Sequence, residues 1–77
     1  MHINHFTQAV KQITERSEQL GLPKDTPIEL MIILTNGNSL VGTIETFDMN
    51  GLVVVKSVHG ITVYLSVDAV VMISRSV

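Results

Sequence analysis

The sequence predicts a mainly β domain in which an N-terminal α-helix precedes a five-stranded, strongly bent antiparallel sheet that forms a small barrel. Three observations predict it. Helical periodicity is confined to the start of the chain, and five short runs rich in β-branched residues follow it. An Asn36-Gly37 turn leads into a strand that contains Gly42. Because only short turns join the runs, the strands form an antiparallel meander, since parallel pairing needs a crossover of about a dozen residues.

The first element is predicted as a helix over about residues 4–20. Its apolar residues recur on one face at the helical period, at Phe6, Val10, Ile13 and Leu20. Asn4 is the expected N-cap, because its side chain can accept from the free amides of the first turn. Gly21 is the expected residue after the last helical turn, and Pro23 prevents the helix from resuming. Residues 21–27 then form a connector.

The sheet is predicted over about residues 28–75, and the whole chain forms one domain. Asn36-Gly37 between two apolar strands predicts a hairpin with a type I′ turn, in which both central residues have positive φ. Gly42 in the second strand indicates a bend or a bulge, which starts to curl the sheet. The predicted strands are residues 28–34, 39–47, 52–58, 61–65 and 69–74.

The apolar content is high for so short a chain. The 77 residues are 45% hydrophobic, with a mean hydropathy of +0.39, and a domain of this size buries only about 60% of its unfolded surface. The longest apolar runs, residues 30–34 and 69–73, have five residues each, whereas a membrane-spanning helix needs about 20. The apolar runs are therefore too short for a membrane segment. The high apolar content instead predicts self-association.

Self-association is also predicted from the strands. The first, third and fifth strands are apolar on both faces, and a free apolar edge is prone to aggregation. Pairing of the fourth strand with the fifth strand of another copy would cover both edges, and such head-to-tail contacts close into a ring if the rotation between copies permits. The expected subunit interface comprises Tyr64, Leu65, Val70, Val71, Met72 and Ile73.

Composition bears on location and chemistry. The chain has no cysteine, which excludes disulfides, thiolate metal sites and thiol nucleophiles. The first residues lack a basic region before an apolar core, so no signal peptide is expected. Both features favour a cytoplasmic location. The net charge of −2 counts mildly against nucleic-acid binding, which often accompanies a basic excess.

A family resemblance rests on the stretch around the first hairpin. The residues concerned are Leu34-Thr35-Asn36-Gly37, Leu40, Gly42, Ile44-Glu45 and Phe47-Asp48. A weaker second motif comprises Tyr64, the apolar run 69–73 and Ser74. Together with the leading helix, they make residues 4 to 75 resemble the Sm-like (LSm) family, as a divergent member of its bacterial Hfq branch.

The resemblance implies a homo-oligomeric ring of five to seven subunits that binds single-stranded RNA, with an Hfq-like role in riboregulation or RNA chaperoning. It places Asp48, Met49 and Asn50 in the turn that lines the pore, and Ser66 nearby. It also makes Gln8 the counterpart of a helix glutamine that contacts RNA in Hfq. No cofactor is implied.

Departures from the family pattern favour an alternative. Asn50 stands where Hfq has phenylalanine, and Leu65-Ser66 replace a Lys-His pair. On the opposite face, the tyrosine, lysine and glutamine that read adenines in Hfq are missing. A structural or protein-binding ring scaffold without the usual RNA contacts is therefore the second hypothesis.

The candidate site residues also have ordinary structural interpretations. Asp48 can accept hydrogen bonds from the amides of its own turn, and Asn50-Gly51 is common turn chemistry. Lys56 and Arg75 are either phosphate contacts or solvated surface cations. The three histidines lack a metal-site spacing, and no nucleophile stands beside a base, so neither a metal site nor an enzyme is expected.

Overall fold

The computed structural model describes residues 1–22 and 27–76. It confirms the predicted fold class, a mainly β chain that starts with one helix. Residues 23–26 of the predicted connector lie outside the described residues. The elements are α1 (Ile3–Gln19), β1 (Leu30–Leu34), β2 (Ser39–Phe47), β3 (Leu52–Ser57), β4 (Thr62–Ser66), a 3₁₀ helix (Val67–Ala69) and β5 (Val70–Arg75).

The N-terminal end of α1 differs from the prediction. The N-cap is His2, whose Nδ1 accepts from the backbone nitrogen of Asn4 at 3.1 Å. Asn4 is therefore inside the helix, and its expected role as the cap is wrong. The helix starts earlier because an imidazole nitrogen can satisfy a first-turn amide as an Asn oxygen does. Within the described residues, no helix has the length and apolar content needed to cross a membrane.

The C-terminal end of α1 confirms the prediction of Gly21. Its φ is +85°, and its nitrogen donates to the Glu18 carbonyl at 3.0 Å while the Leu22 nitrogen donates to the Ser17 carbonyl at 3.2 Å. These are the two bonds of a Schellman motif, which satisfies the last helical carbonyls. Leu20 is 61% exposed, so the buried stripe of the helix does not extend to it.

The β1–β2 turn is not the predicted type I′ turn. Among the described residues, positive φ occurs only at glycines, so Asn36 does not adopt it. Gly37 has a φ of +86°, and its nitrogen donates to the Leu34 carbonyl at 3.0 Å. This is a type I turn followed by a left-handed glycine, the geometry of a longer hairpin loop with a G1 bulge. The Asn36 side chain instead accepts from the Asn38 nitrogen.

The strand order across the sheet is β4-β3-β2-β1-β5. All pairs are antiparallel, as predicted. The expectation of a simple meander is wrong for the last strand, because β5 pairs with β1 and not with β4. In that pair Ile32 lies opposite Ile73. Consecutive strands β4 and β5 therefore form the two opposite edges of the sheet.

The short link between β4 and β5 requires the sheet to curl. In a flat sheet the two edge strands would lie four strand spacings apart, about 19 Å. The three residues of the 3₁₀ helix, Val67–Ala69, advance only about 6 Å. The edges must therefore approach each other, which makes the sheet a small barrel. A register shift between Ile44 and Thr46 adds local twist to β2.

The core lies inside this curl and beneath α1. Phe6 is fully buried, and its ring packs edge-on against Phe47, with centroids 5.2 Å apart. The nitrogen of Met1 donates to the carbonyls of Val67 and Val70 at 3.0 and 2.7 Å, which places the start of the chain beside the 3₁₀ helix. The buried apolar residues are Phe6, Leu30, Ile32, Val53, Val55, Val67, Val70 and Ile73.

Candidate functional site

The β2–β3 turn is held by the side chain of Asp48. Its Oδ1 accepts from the nitrogens of Asn50 at 2.9 Å and Leu52 at 3.2 Å. The Gly51 nitrogen donates to the Asp48 carbonyl at 3.1 Å, and Gly51 has a φ of +96°. A carboxylate that accepts two backbone amides organises its own turn, so the structural interpretation of Asp48 is the one that these contacts support.

The predicted residue Ser66 lies next to this turn. Ser66 is opposite Leu52 in the β3–β4 register, and the following nitrogen, of Val67, donates to the Gly51 carbonyl at 2.7 Å. The Ser66 hydroxyl accepts from the Asp68 nitrogen at 3.3 Å and so caps the 3₁₀ helix. The fold therefore brings the turn of residues 48–51 together with Ser66, although 15 or more positions separate them in the chain.

A concavity of about 200 Å³ opens beside the β2–β3 turn and the 3₁₀ helix, and we call it the turn pocket. Two of the predicted site residues, Met49 and Asn50, line it. The other lining residues are His2, Ile3, Gly51, Val67 and Asp68. Sequence reasoning did not assign His2, Ile3 or Asp68 to this site. The predicted tight turn before the last strand was a signal for Asp68. No local sequence pattern indicated that His2 and Ile3, at the start of the helix, would line the turn pocket.

Gln8 does not line the turn pocket. It is exposed on α1, two positions after the buried Phe6. Two helical positions correspond to a rotation of about 200°, so Gln8 lies on the side of the helix away from the core. The described contacts therefore bring together Asp48, Met49, Asn50 and Ser66, and leave Gln8 apart.

The electrostatics of the turn pocket are not those of a phosphate site. It contains the carboxylate of Asp68, and no lysine or arginine lines it. Arg16 and Arg75 instead line a separate concavity of about 260 Å³ between α1 and β5, together with Gln12. Lys56 is exposed on β3. A phosphate backbone would thus meet its cations away from the turn pocket.

The turn pocket offers hydrogen-bonding groups and one apolar surface. The Asn50 amide and the Asp68 carboxylate can pair with polar ring edges, and Met49 is 68% exposed. His2 uses Nδ1 in the helix cap, so its Nε2 is free to donate to a ligand. In the described part of the chain, no three His, Asp or Glu side chains converge to hold a metal ion.

Five of the six predicted interface residues fall into an exposed group and a buried group, and Leu65 is intermediate. Tyr64, Val71 and Met72 are 70%, 57% and 45% exposed on the two edge strands. Val70 and Ile73 are buried in the core, where their side chains are already packed. Leu65 is partly buried against the same core. The first group can form side-chain contacts with another molecule, whereas the second group contributes only backbone to an edge.

Comparisons with models of protein families, with characterised proteins and with solved structures give no match to this chain.

Proposed function

We propose that this chain is an Sm-like protein that assembles into a closed homo-oligomeric ring of five to seven subunits and binds single-stranded RNA at the ring face that carries the turn pocket. One observation carries the proposal. The open edges of the curled sheet are β4 and β5, and both are apolar strands.

The sequences of the edges support pairing with another chain. β4 reads TVYLS and contains no charge, and β5 reads VVMISR, with its only charge at the last residue. Exposed edge strands are normally protected by charges, prolines or bulges, because unpaired backbone groups otherwise recruit further strands. Neither strand contains a proline, and the one bulge in their pairing is at Val71, where β5 shifts register against β1. A partner strand would satisfy the backbone groups and cover Tyr64, Val71 and Met72.

The two edges differ in sequence, which determines the kind of assembly. β4 of one copy would pair with β5 of the next, so the contact is head-to-tail and not two-fold symmetric. Repeated head-to-tail contacts form either a closed ring or an open filament. Because each sheet is curled, its two edge strands are not parallel to each other, so each copy is rotated relative to the copy it pairs with. A rotation between successive copies favours closure into a ring.

RNA binding would use the groups in the turn pocket. Asn50 and His2 provide donors for base edges, and Met49 provides an apolar surface against which a base can pack. We expect each such site to be weak, because no phenylalanine, tyrosine or tryptophan lines the pocket and base stacking contributes about 1–3 kcal/mol per base. A ring repeats the pocket once per subunit, and linked sites raise the overall affinity without new contacts.

A second candidate function is a protein-binding ring scaffold. The observation that favours it is the Asp68 carboxylate in the turn pocket, where no lysine or arginine is present. A carboxylate repels phosphate, whereas it can pair with a basic or amide-rich protein segment. This candidate keeps the same assembly and differs only in the ligand.

Assembly is tested by size-exclusion chromatography with light scattering. A ring of five to seven chains of 8.5 kDa is expected, with a total mass of about 43 to 60 kDa. A monomer at micromolar concentration would contradict the proposal, because the edges would then be stable without a partner.

RNA binding is tested by fluorescence anisotropy with uridine-rich and adenine-rich oligonucleotides at low and moderate salt. We expect Asn50→Ala to weaken binding several-fold and Gln19→Ala, at the exposed end of α1, to leave it unchanged. Absence of binding to both RNAs at low salt, where phosphate attraction is strongest, would exclude the RNA function. A nuclease-insensitive protein partner would then support the scaffold.

A further inference from the structure

Among the described residues that line the turn pocket, Asp68 is the only one with a carboxylate. The Asp48 carboxylate next to the pocket already accepts two amides of its own turn. Asp68 contributes only its backbone nitrogen to the hydrogen bonds among side chains of the described residues, by donating to the Ser66 hydroxyl. It is exposed, so both oxygens of its carboxylate can accept hydrogen bonds from a ligand.

The β2–β3 turn holds Asn50 close to Asp68. The Val67 nitrogen donates to the Gly51 carbonyl at 2.7 Å, and Asp68 and Asn50 are the chain neighbours of these two residues. The Asn50 nitrogen is itself bound to the side chain of its turn. Both side chains line the pocket from fixed backbone positions, and the Asn50 amide adds a donor to the carboxylate.

His2 is held at the same pocket by the start of α1. The nitrogen of the preceding residue, Met1, donates to one carbonyl before Asp68 in the chain and to one after it, at 3.0 and 2.7 Å. The His2 Nδ1 accepts from the Asn4 nitrogen at 3.1 Å. An accepting Nδ1 places the proton of the neutral ring on Nε2, so His2 provides a second donor at the pocket.

These groups match the Watson–Crick edge of guanine. That edge presents two adjacent donors, N1–H and the N2 amino group, followed by the acceptor O6. The two oxygens of a carboxylate can accept from both donors at once, and Asn50 or His2 can donate to O6. Proteins read the bases of single-stranded RNA at such edges. The volume of about 200 Å³ is below the range of about 300–1,000 Å³ for larger ligands, which suits one base.

The other bases fit the Asp68 carboxylate less well. Uracil presents one N–H between two carbonyl oxygens, and adenine and cytosine each present one amino group beside a ring nitrogen that accepts. In each case an acceptor lone pair would face the second carboxylate oxygen and repel it. Guanine gains two hydrogen bonds where the other bases gain one bond and a repulsion, so Asp68 discriminates between bases.

We propose that the turn pocket selects a guanine base of single-stranded RNA. The Asp68 carboxylate accepts from N1–H and the N2 amino group, the donors of Asn50 and His2 face O6, and the exposed Met49 packs against the ring. The inference rests on the proposed RNA function and names the base that this site reads. The carboxylate contacts the base edge, which is remote from the phosphate of the same nucleotide.

The test is fluorescence anisotropy of the full chain with labelled uridine oligonucleotides that differ only in one central base. We expect the oligonucleotide with a central guanosine to bind about fivefold or more tightly than those with uridine, adenosine or cytidine, as for a good bidentate contact. Equal affinities, or a preference for another base, would overturn the inference and leave the RNA function intact. Absence of binding to every oligonucleotide at low salt would overturn the RNA function itself.

Modified bases test the contact with the native chain. Inosine lacks the N2 amino group of guanosine and keeps N1–H and O6, so it should lose most of the preference. The base 7-deazaguanine differs from guanine only at N7, away from the Watson–Crick edge, and should keep the preference. Equal binding of inosine and guanosine would contradict a carboxylate that accepts from both donors.

A variant identifies the residue. Asp68→Asn keeps the size of the side chain and replaces one acceptor oxygen by a donor, so it should abolish the guanosine preference while low-salt binding of the uridine oligonucleotide remains. Glu15→Gln removes the same charge from an exposed position on α1 and should keep the preference. Circular dichroism and light scattering check that both variants fold and assemble like the native chain. A preference that survives in Asp68→Asn would overturn the assignment.

Discussion

Gly42 of β2 lies directly against the backbone of Lys56 in β3. A Cβ atom at Gly42 would lie only 2.3 Å from the Lys56 carbonyl oxygen and 2.9 Å from the Cα of Ser57. The same residue pairs with Leu30 on its other side. Gly42 therefore permits a close approach of β2 and β3 that any side chain would prevent. The bulge of β2 lies further along the strand, between Ile44 and Thr46, and not at Gly42.

Gly42→Ala is expected to destabilise the fold strongly. The added methyl group meets backbone atoms on β3 that cannot rotate away, and overpacking of this kind costs about 1–3 kcal/mol or more. Urea denaturation followed by circular dichroism measures the loss. Gly37→Asn is the control, because Gly37 has open space around it and asparagine tolerates positive φ. Equal stability of Gly42→Ala and the native chain would contradict the close approach.

Phe6 attaches α1 to the sheet through Phe47. Phe6→Leu removes the edge-to-face contact while keeping an apolar side chain, and Phe47→Leu does the same from the other side. A double-mutant cycle of thermal or urea unfolding should give a coupling of about 0.5–1.5 kcal/mol between the two rings. Phe6→Ala should cost about 3–5 kcal/mol because it leaves a cavity. A coupling near zero would show that the rings act independently.

Asp48 is expected to act on stability through its two amide contacts. Asp48→Ala removes the acceptor for the nitrogens of Asn50 and Leu52 and should cost about 1 kcal/mol. Asp48→Asn keeps an acceptor oxygen at the same position, so its unfolding midpoint should stay close to that of the native chain. Urea unfolding of both variants makes the comparison. Equal losses in the two variants would mean that the charge matters and the turn geometry does not.

A charge on an edge strand should dissociate the ring without unfolding the subunit. Val71→Lys places an ammonium group on the exposed side of β5, where a paired strand would have to desolvate it. We expect at least a tenfold weaker association by light scattering over a concentration series. Gln19→Lys adds the same charge at the end of α1 and should leave the mass unchanged. A full-mass ring with Val71→Lys would contradict the proposed edge contact.

Sequence reasoning located the turns of the sheet well because each is encoded within a few residues. The β2–β3 turn needs an acceptor at Asp48 and a glycine at Gly51, and both are visible in the sequence. The type of the β1–β2 turn was predicted wrongly, because the local sequence does not distinguish the possible geometries. Asn36-Gly37 is compatible with two loop geometries, and the choice between them depends on how the flanking strands pair.

The candidate site was only partly predictable. Met49 and Asn50 follow Asp48 in the chain, and their exposure in a turn was expected from the pattern. His2 and Asp68 reach the same pocket from the helix cap and from the link to β5. Their presence depends on contacts between residues more than 15 positions apart, and no local pattern encodes those contacts.

By itself the sequence determined the order of the α-helix and the five strands, the end of the helix at Gly21 and the antiparallel pairing, but not the 3₁₀ helix. These follow from hydrophobic periodicity, backbone preferences and the shortness of the turns. Only the tertiary structure decided that β5 pairs with β1, which leaves β4 and β5 as the two edges. The physical reason is that a three-residue link can join opposite edges only if the sheet curls. Curling brings residues that are distant in the chain, such as Val53 and Ile73, into one core with Phe6, and no local pattern encodes that packing.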